Sequence, residues 1–146
     1  MNGYQIVSES LASKIFYHSS PTQGLKIIDP RNETRRIGNR GTRVFVSDSK
    51  AFSSGFTFRW NSSDGIRFGQ TDDGPWTMEI PKKFKSRMMK PCSIYTVENQ
   101  PYIPIRDMSE TPVEFYTRKS VRIIKEEKYR TSLEAMKSNG VKVAII

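Results

Sequence analysis

The sequence predicts an α+β fold with mainly antiparallel sheet, organised as one domain over residues 1–146. Short runs rich in β-branched and aromatic residues recur along the chain, separated by Gly, Pro and polar stretches. Strands and helices do not alternate regularly, as they would in repeated βαβ units with a parallel sheet. At 146 residues the chain is long enough to bury a core of its own.

Apolar runs place the predicted strands, and polar stretches place the loops between them. The strands are expected at 14–18, 24–29, 43–47, 76–80, 92–97, 113–117, 120–124 and 141–146. Residues 31–43 and 59–76 predict loops, the second unusually long and rich in Gly, Pro and Asp. Residues 81–91 are strongly basic and are expected to face solvent.

Two segments predict helices. The first would begin at Ser47 or Asp48, either of which can cap a helix, and would end near Gly55. Residues 126–140 form the clearest helical pattern, with apolar residues at helical spacing and an Asn-Gly stop. The apolar positions that define these two faces are Ala51, Phe52, Phe56, Tyr129, Leu133 and Met136.

The formal net charge is +9 and favours a polyanionic partner such as nucleic acid, a nucleotide or an acidic protein. A basic surface without a ligand is the plain alternative. The single cysteine, Cys92, excludes an internal disulfide and a cysteine-based zinc site, which suits a reducing cytoplasm. We also expect no secretory signal, no membrane span and no transition-metal site, because the residue patterns of all three are absent from the sequence.

Three short stretches point to a specific chemistry when they are taken in order: "FYHSSP", "VFVSDSKAFSSGF" and "EFYTRKSVRII". Their order and spacing resemble the ADP-ribosyltransferase superfamily, in the branch with a His, an aromatic residue and a Glu in the NAD pocket. This is the diphtheria-toxin and poly-ADP-ribose-polymerase type. The stretches are most similar to small bacterial and phage proteins that begin with a "YHGSP"-like strand. The resemblance covers roughly residues 15–146 and implies a split β-sheet with a few short helices, and NAD as a substrate.

The resemblance implies catalytic roles for His18 and Glu114. His18 matches a histidine that hydrogen-bonds the nicotinamide-side ribose, and a neutral imidazole offers one donor and one acceptor for that purpose. Glu114 matches a glutamate that binds the ribose 2′-hydroxyl and stabilises positive charge as nicotinamide leaves. Glu110 is a competing carboxylate. The plain alternatives are a structural histidine and a solvated carboxylate at a strand end.

The resemblance also implies a set of small or aromatic cofactor-binding residues beside His18. They are Ser19, Ser20, Phe45, Ser47, Ala51 and Phe52, with Phe56 as an alternative stacking ring. Two of them depart from the pattern: Ser19 stands where the family often has Gly, and Phe45 lacks a phenol hydroxyl. Within the run "RVFVS", Phe45 is in the first place a core residue, and its role as a pocket wall is what the resemblance implies.

Five arginines lie within 13 residues between the first two motifs: Arg31, Arg35, Arg36, Arg40 and Arg43. Guanidinium groups match phosphate geometry bidentately, and the resemblance implies that this connection can reach the pyrophosphate of NAD. It could instead follow a nucleic-acid backbone with the basic residues of 81–91, while Trp60 or Trp76 stacks on bases. An exposed basic loop without a ligand is the plain interpretation.

Three functions remain open on the sequence. The first is an NAD-dependent mono-ADP-ribosyltransferase that modifies a protein or nucleic acid with an acidic surface, as a phage or bacterial effector. The second is a non-catalytic module on the same fold that binds a nucleotide or an ADP-ribose-like ligand and inhibits a host component. The third is an RNA-directed protein, either 2′-phosphotransferase-like or simply RNA-binding. All three place the protein in the cytoplasm of a bacterium or infected host cell.

Overall fold

The computed structural model of this protein describes residues 14–32, 42–70, 72–105 and 113–146. Over these ranges the chain forms an α+β fold in which all strand pairs except one are antiparallel. This confirms the class and the mainly antiparallel character predicted from the sequence. The exception is the pairing of the last strand, which runs parallel to its neighbour.

The larger sheet has eight strands: β1 (Phe16–Ser20), β2 (Ile27–Ile28), β3 (Arg31–Asn32), β4 (Thr42–Ser47), β7 (Cys92–Val97), β8 (Ile103–Pro104), β9 (Glu114–Thr117) and β10 (Val121–Tyr129). Their order is β2-β10-β7-β1-β4-β9-β8, with β3 paired to β4. The smaller sheet has the order β11-β6-β5, formed by β5 (Arg67–Gln70), β6 (Trp76–Ile80) and β11 (Lys142–Ile145).

Two α-helices occur in the described ranges, α1 (Lys50–Ser54) and α2 (Ser132–Ser138). The 3₁₀ segment Ser62–Asp64 precedes β5, and a second 3₁₀ segment, Lys82–Met89, follows β6. Ser49 caps α1, because its side chain accepts a hydrogen bond from the Phe52 amide. Gly55 ends that helix, as predicted. The predicted caps Ser47 and Asp48 are therefore wrong by one or two residues.

Strand alternation divides the core into separate clusters. Val44 and Val46 of β4 point to one face of the larger sheet, where they pack with Phe16 and Phe115. Tyr17 points to the opposite face and packs against α2 with Ile94 and Cys92. A third cluster, with Met78 and Ile80 at its centre, joins the smaller sheet to α2 and the Lys82–Met89 segment.

The predicted helix at 126–140 is wrong in its first third. Residues up to Tyr129 continue β10, because β7 offers hydrogen-bonding partners along its whole length, from Ile123↔Val97 to Tyr129↔Cys92. Helix α2 begins only after Thr131, whose hydroxyl accepts from the Glu134 amide. Tertiary pairing with β7 therefore overrides the helical spacing of the sequence.

Other boundaries also differ from the predictions. The predicted loop at 59–76 contains a 3₁₀ turn and β5, which pairs with β6 and so forms a hairpin. The second predicted strand shrinks to Ile27–Ile28. The predicted loop at 31–43 has strand pairing at both ends, and residues 33–41 lie outside the described ranges. In the basic stretch at 81–91 four cations are exposed as expected, whereas Arg87 is half-buried.

Candidate functional site

A cleft of about 1030 Å³ is the candidate site. Most of its lining comes from β1 and the loop after it, β4, helix α1 with the segment that follows, and the first residue of β9. Sequence-predicted site residues line it: His18, Ser19, Ser20, Phe45, Ser47, Phe52 and Glu114. The structure thus brings together residues that lie far apart in the chain.

The cleft opens where β1 and β4 part. These two strands share one register pair, Tyr17↔Ser47, after which β1 continues along β7 and β4 along β9. The His18 ring spans the gap, since its Nδ1 lies 2.7 Å from the Phe45 carbonyl oxygen. A carbonyl oxygen only accepts, so Nδ1 carries the hydrogen and donates it. This bond fixes the ring and leaves Nε2 as the imidazole's acceptor when the ring is neutral.

Glu114 reaches the same cleft from the other face of the sheet. Strand alternation puts it on the face of Tyr17 and Ser47, opposite to His18. Both residues line the cleft, because it lies at the position where β1 and β4 separate. Glu114 is half-buried at the start of β9, and Glu110 lies outside the described residues.

Ser47 holds the strand end that carries Glu114. It is 2% exposed and lies directly opposite Glu114 in the β4–β9 register. Its hydroxyl donates to the Val113 carbonyl at 2.5 Å and accepts from the Ser49 amide at 3.0 Å. One side chain therefore fixes both the start of β9 and the turn into α1.

Ser19 and Ser20 line the cleft, but their hydroxyls make structural bonds. Ser19 Oγ lies 2.5 Å from the Ser53 carbonyl and 2.6 Å from the Ser53 hydroxyl, which ties β1 to α1. Ser20 Oγ accepts from the Thr22 amide at 3.0 Å. The loop after β1 is held further by Tyr95, which donates to the Thr22 carbonyl and accepts from the Leu25 amide. One rim of the cleft is therefore fixed by hydrogen bonds.

An aromatic cluster forms one wall of the cleft. Phe52, Phe56 and Trp60 line it, and Phe68 and Trp76 pack behind them. Phe56 and Trp60 stack with ring centroids 5.6 Å apart, and Phe52 lies 5.0 Å from both Phe56 and Trp76. All five rings remain half-buried, so aromatic surface faces the cleft. Trp60 was predicted only as a residue that stacks on bases, although Phe52, Phe56 and Trp60 recur at every fourth position.

Ala51 is not part of the cleft lining and packs against the third core cluster instead. Cys92 does not line the cleft either. It is fully buried in the core between β7 and α2, and burial raises the pKa of its thiol. A buried protonated thiol is a poor nucleophile, so Cys92 is unsuited to nucleophilic catalysis.

The charges at the cleft are mixed. Arg43, Arg59, Arg87 and Lys90 line it, together with Asp29, Asp64 and Glu114. Arg87 donates to Asp64 at 2.7 Å, and this hydrogen bond lowers the pKa of the Asp64 carboxyl. The guanidinium of Arg43 lies 4.0 Å from the Tyr116 ring centroid. Arg31 lies on β3, and the predicted phosphate-binding residues Arg35, Arg36 and Arg40 lie outside the described residues.

Comparison with protein-family models, curated proteins and solved structures finds no match for this chain. Across the described ranges, no group of three or more His, Cys, Asp or Glu side chains could hold a metal ion. Among these same residues, no helix is long and apolar enough to cross a membrane.

Proposed function

We propose that the protein is an NAD-dependent mono-ADP-ribosyltransferase with the split-sheet fold of that superfamily. One observation carries the proposal: His18, Phe45 and Glu114, taken from three separate motifs, line one cleft. The resemblance requires that convergence, and the neighbouring strands β1, β4 and β9 bring it about. The cleft volume of about 1030 Å³ is also large enough for a dinucleotide.

The residues of the cleft suit the breaking of the nicotinamide–ribose bond. Glu114 would bind the ribose 2′-hydroxyl and stabilise the positive charge that develops at C1′ as nicotinamide leaves with the bonding electron pair. His18 would accept a hydrogen bond from a ribose hydroxyl at Nε2, because Nδ1 donates to the Phe45 carbonyl. The rings of Phe52 and Phe56 would stack on the nicotinamide.

The test compares nicotinamide release from NAD by the wild-type protein and by Glu114→Gln. Chromatography measures the released nicotinamide. We expect the variant to lose at least about 100-fold in rate, because an amide cannot neutralise the developing charge. Glu79→Gln is the matched control, since Glu79 is exposed on β6 and does not line the cleft. Equal release by wild type and Glu114→Gln would remove Glu114 from the mechanism.

The second candidate is a module on the same fold that binds a nucleotide without turning it over. Two observations favour it: Phe45 brings no hydroxyl to the cleft, and the Ser19 hydroxyl is committed to Ser53. In this case calorimetry with NAD would show binding that Phe52→Ala weakens, and intact NAD would be recovered afterwards. Release of nicotinamide by the wild-type protein would exclude this second candidate.

A further inference from the structure

A row of arginines crosses the larger sheet beside the cleft. Arg31 on β3 lies opposite Arg43 on β4 in the strand register. Val44 pairs with Thr117, so Arg118, the next residue after β9, comes beside Arg43 on its other side. Adjacent strands are about 4.8 Å apart, and like charges directly opposite each other destabilise a sheet. A row of this kind is therefore costly unless an anion binds across it.

The two arginines of this row whose side chains are described converge on one ring. The guanidinium carbon of Arg43 lies 4.0 Å from the Tyr116 centroid, and that of Arg118 lies 5.5 Å from the same centroid. Arg43 Nε is buried and has no hydrogen-bond partner among the described residues. In the part of the chain that the structure describes, neither arginine forms a salt bridge with a carboxylate. Within the described ranges, these two cations are held in place but not neutralised by a carboxylate.

From these contacts we infer that the arginine row binds the phosphates of a single-stranded nucleic acid, which is the acceptor of the transferase. This inference rests on the proposed function for the acceptor role, while the binding itself does not depend on it. Arg43 lines the cleft, whereas Arg118 and Lys119 are exposed outside its lining. The row thus leads out of the cleft. A chain of phosphates could contact its whole length, whereas the two phosphates of one dinucleotide could not.

A second basic stretch borders the same cleft. The Lys82–Met89 segment and Lys90 carry five cations and no acid, and Arg87 and Lys90 reach the cleft lining. Phosphate contacts at both places would let a strand pass across the cleft mouth. Charge and geometry therefore favour an extended polyanion over a compact one.

The position of Glu114 favours a single strand over a duplex. Glu114 and Tyr116 lie two residues apart on β9 and share a face of the sheet. A reacting group must enter the cleft to reach Glu114, and a stacked, paired nucleotide cannot do so without leaving the duplex. In the transfer, the bond from C1′ to nicotinamide breaks and nicotinamide takes the electron pair. A nucleophilic oxygen or nitrogen of the nucleic acid bonds to C1′ and gives its proton to the Glu114 carboxylate.

Binding is tested by fluorescence anisotropy with labelled 20-nucleotide single-stranded RNA and DNA, using wild type, Arg118→Gln and Lys142→Gln. Lys142 is exposed on β11 of the smaller sheet and does not line the cleft, so its variant makes the same charge change away from both basic stretches. We expect wild-type binding to weaken steeply with salt. Arg118→Gln should bind several-fold more weakly with a salt slope shallower by about one, and Lys142→Gln should match wild type.

Several results would overturn the inference. Equal weakening by the two variants would assign the effect to net charge alone. If a 20-base-pair duplex or polyglutamate binds as tightly as the single strand, the partner is not specifically a single-stranded nucleic acid. The acceptor role would be refuted if the protein releases nicotinamide from NAD and binds both single strands, but neither oligonucleotide gains the mass of an ADP-ribosyl group.

Nicotinamide release into water separates this inference from the proposed function. Release without any oligonucleotide binding would refute the arginine row and leave the transferase standing. Salt-dependent oligonucleotide binding without release would refute the transferase and leave the row as a nucleic-acid site.

Discussion

Ser47 shows at the scale of one residue how the cleft is assembled. The sequence assigned it two roles, a small residue against nicotinamide and a possible helix cap. In the structure its buried hydroxyl instead joins β4 to the residue before Glu114 and to the turn before α1. Ser19 likewise acts as a link between β1 and α1. Small polar side chains near the cleft therefore hold the elements that carry the larger, chemically important ones.

Ser47→Ala should lower the free energy of unfolding by about 1–3 kcal/mol, because the Val113 carbonyl loses its buried donor. Release of nicotinamide should fall with it, since the start of β9 is no longer fixed. Urea denaturation measures the first effect. Ser86→Ala, at an exposed serine of the Lys82–Met89 segment, is the control and should change stability by less than about 0.5 kcal/mol. Equal stability of the two variants would contradict this account of Ser47.

At the scale of elements, the close approach of α1 to the β5–β6 hairpin builds the aromatic wall. Gly55 marks the contact, because a Cβ placed there would lie 2.5 Å from the Phe68 ring. Its φ of −69° is one that any residue adopts, so the requirement for Gly comes from space and not from backbone conformation. Strand β5 of the hairpin lies within the stretch that the sequence predicted as loop, whereas β6 was predicted as a strand. Sequence reasoning therefore could not foresee that Phe68 would support the cleft.

Gly55→Ala should destabilise the protein by about 1–3 kcal/mol, because the Phe68 ring must move to admit the methyl group. The near-ultraviolet circular dichroism of the aromatic cluster should change as well. Gly69→Ala is the matched control on β5, where an added Cβ has no atom within 4 Å. Thermal unfolding of the two variants decides the matter, and indistinguishable melting temperatures would show that α1 and the hairpin are less closely packed than described.

At the scale of the whole molecule, contacts between distant segments fix α1 on the larger sheet. Lys50 of α1 donates to Glu127 of β10, and the Tyr129 hydroxyl donates to the same carboxylate at 2.9 Å. The Lys50–Glu127 bond joins parts of the chain that lie 77 positions apart. The hydrogen bond from Lys50 lowers the pKa of Glu127 below its ordinary 4.5, although burial opposes the shift.

A carboxyl group whose pKa falls on folding stabilises the protein above its unfolded pKa and loses that contribution as pH falls through the folded value. The free energy of unfolding of wild type should therefore exceed that of Glu127→Gln most at neutral pH. The difference should shrink below about pH 4.5, the ordinary value for this group. Urea unfolding at several pH values measures it, with Glu79→Gln as an exposed carboxyl control. A difference that stays constant from pH 7 to pH 3 would contradict the role of the Lys50–Glu127 pair.

The sequence alone determined the α+β class and the positions of strands such as Trp76–Ile80 and Cys92–Val97, because alternation and β-branched residues act locally. It also singled out His18, Phe45 and Glu114, and the cleft contains all three. Only the tertiary structure decided that β10 continues through Tyr129, that β5 forms and that β1 and β4 part around the His18 ring. These features depend on partners distant in the chain, and local residue patterns carry no information about which partner a strand will find.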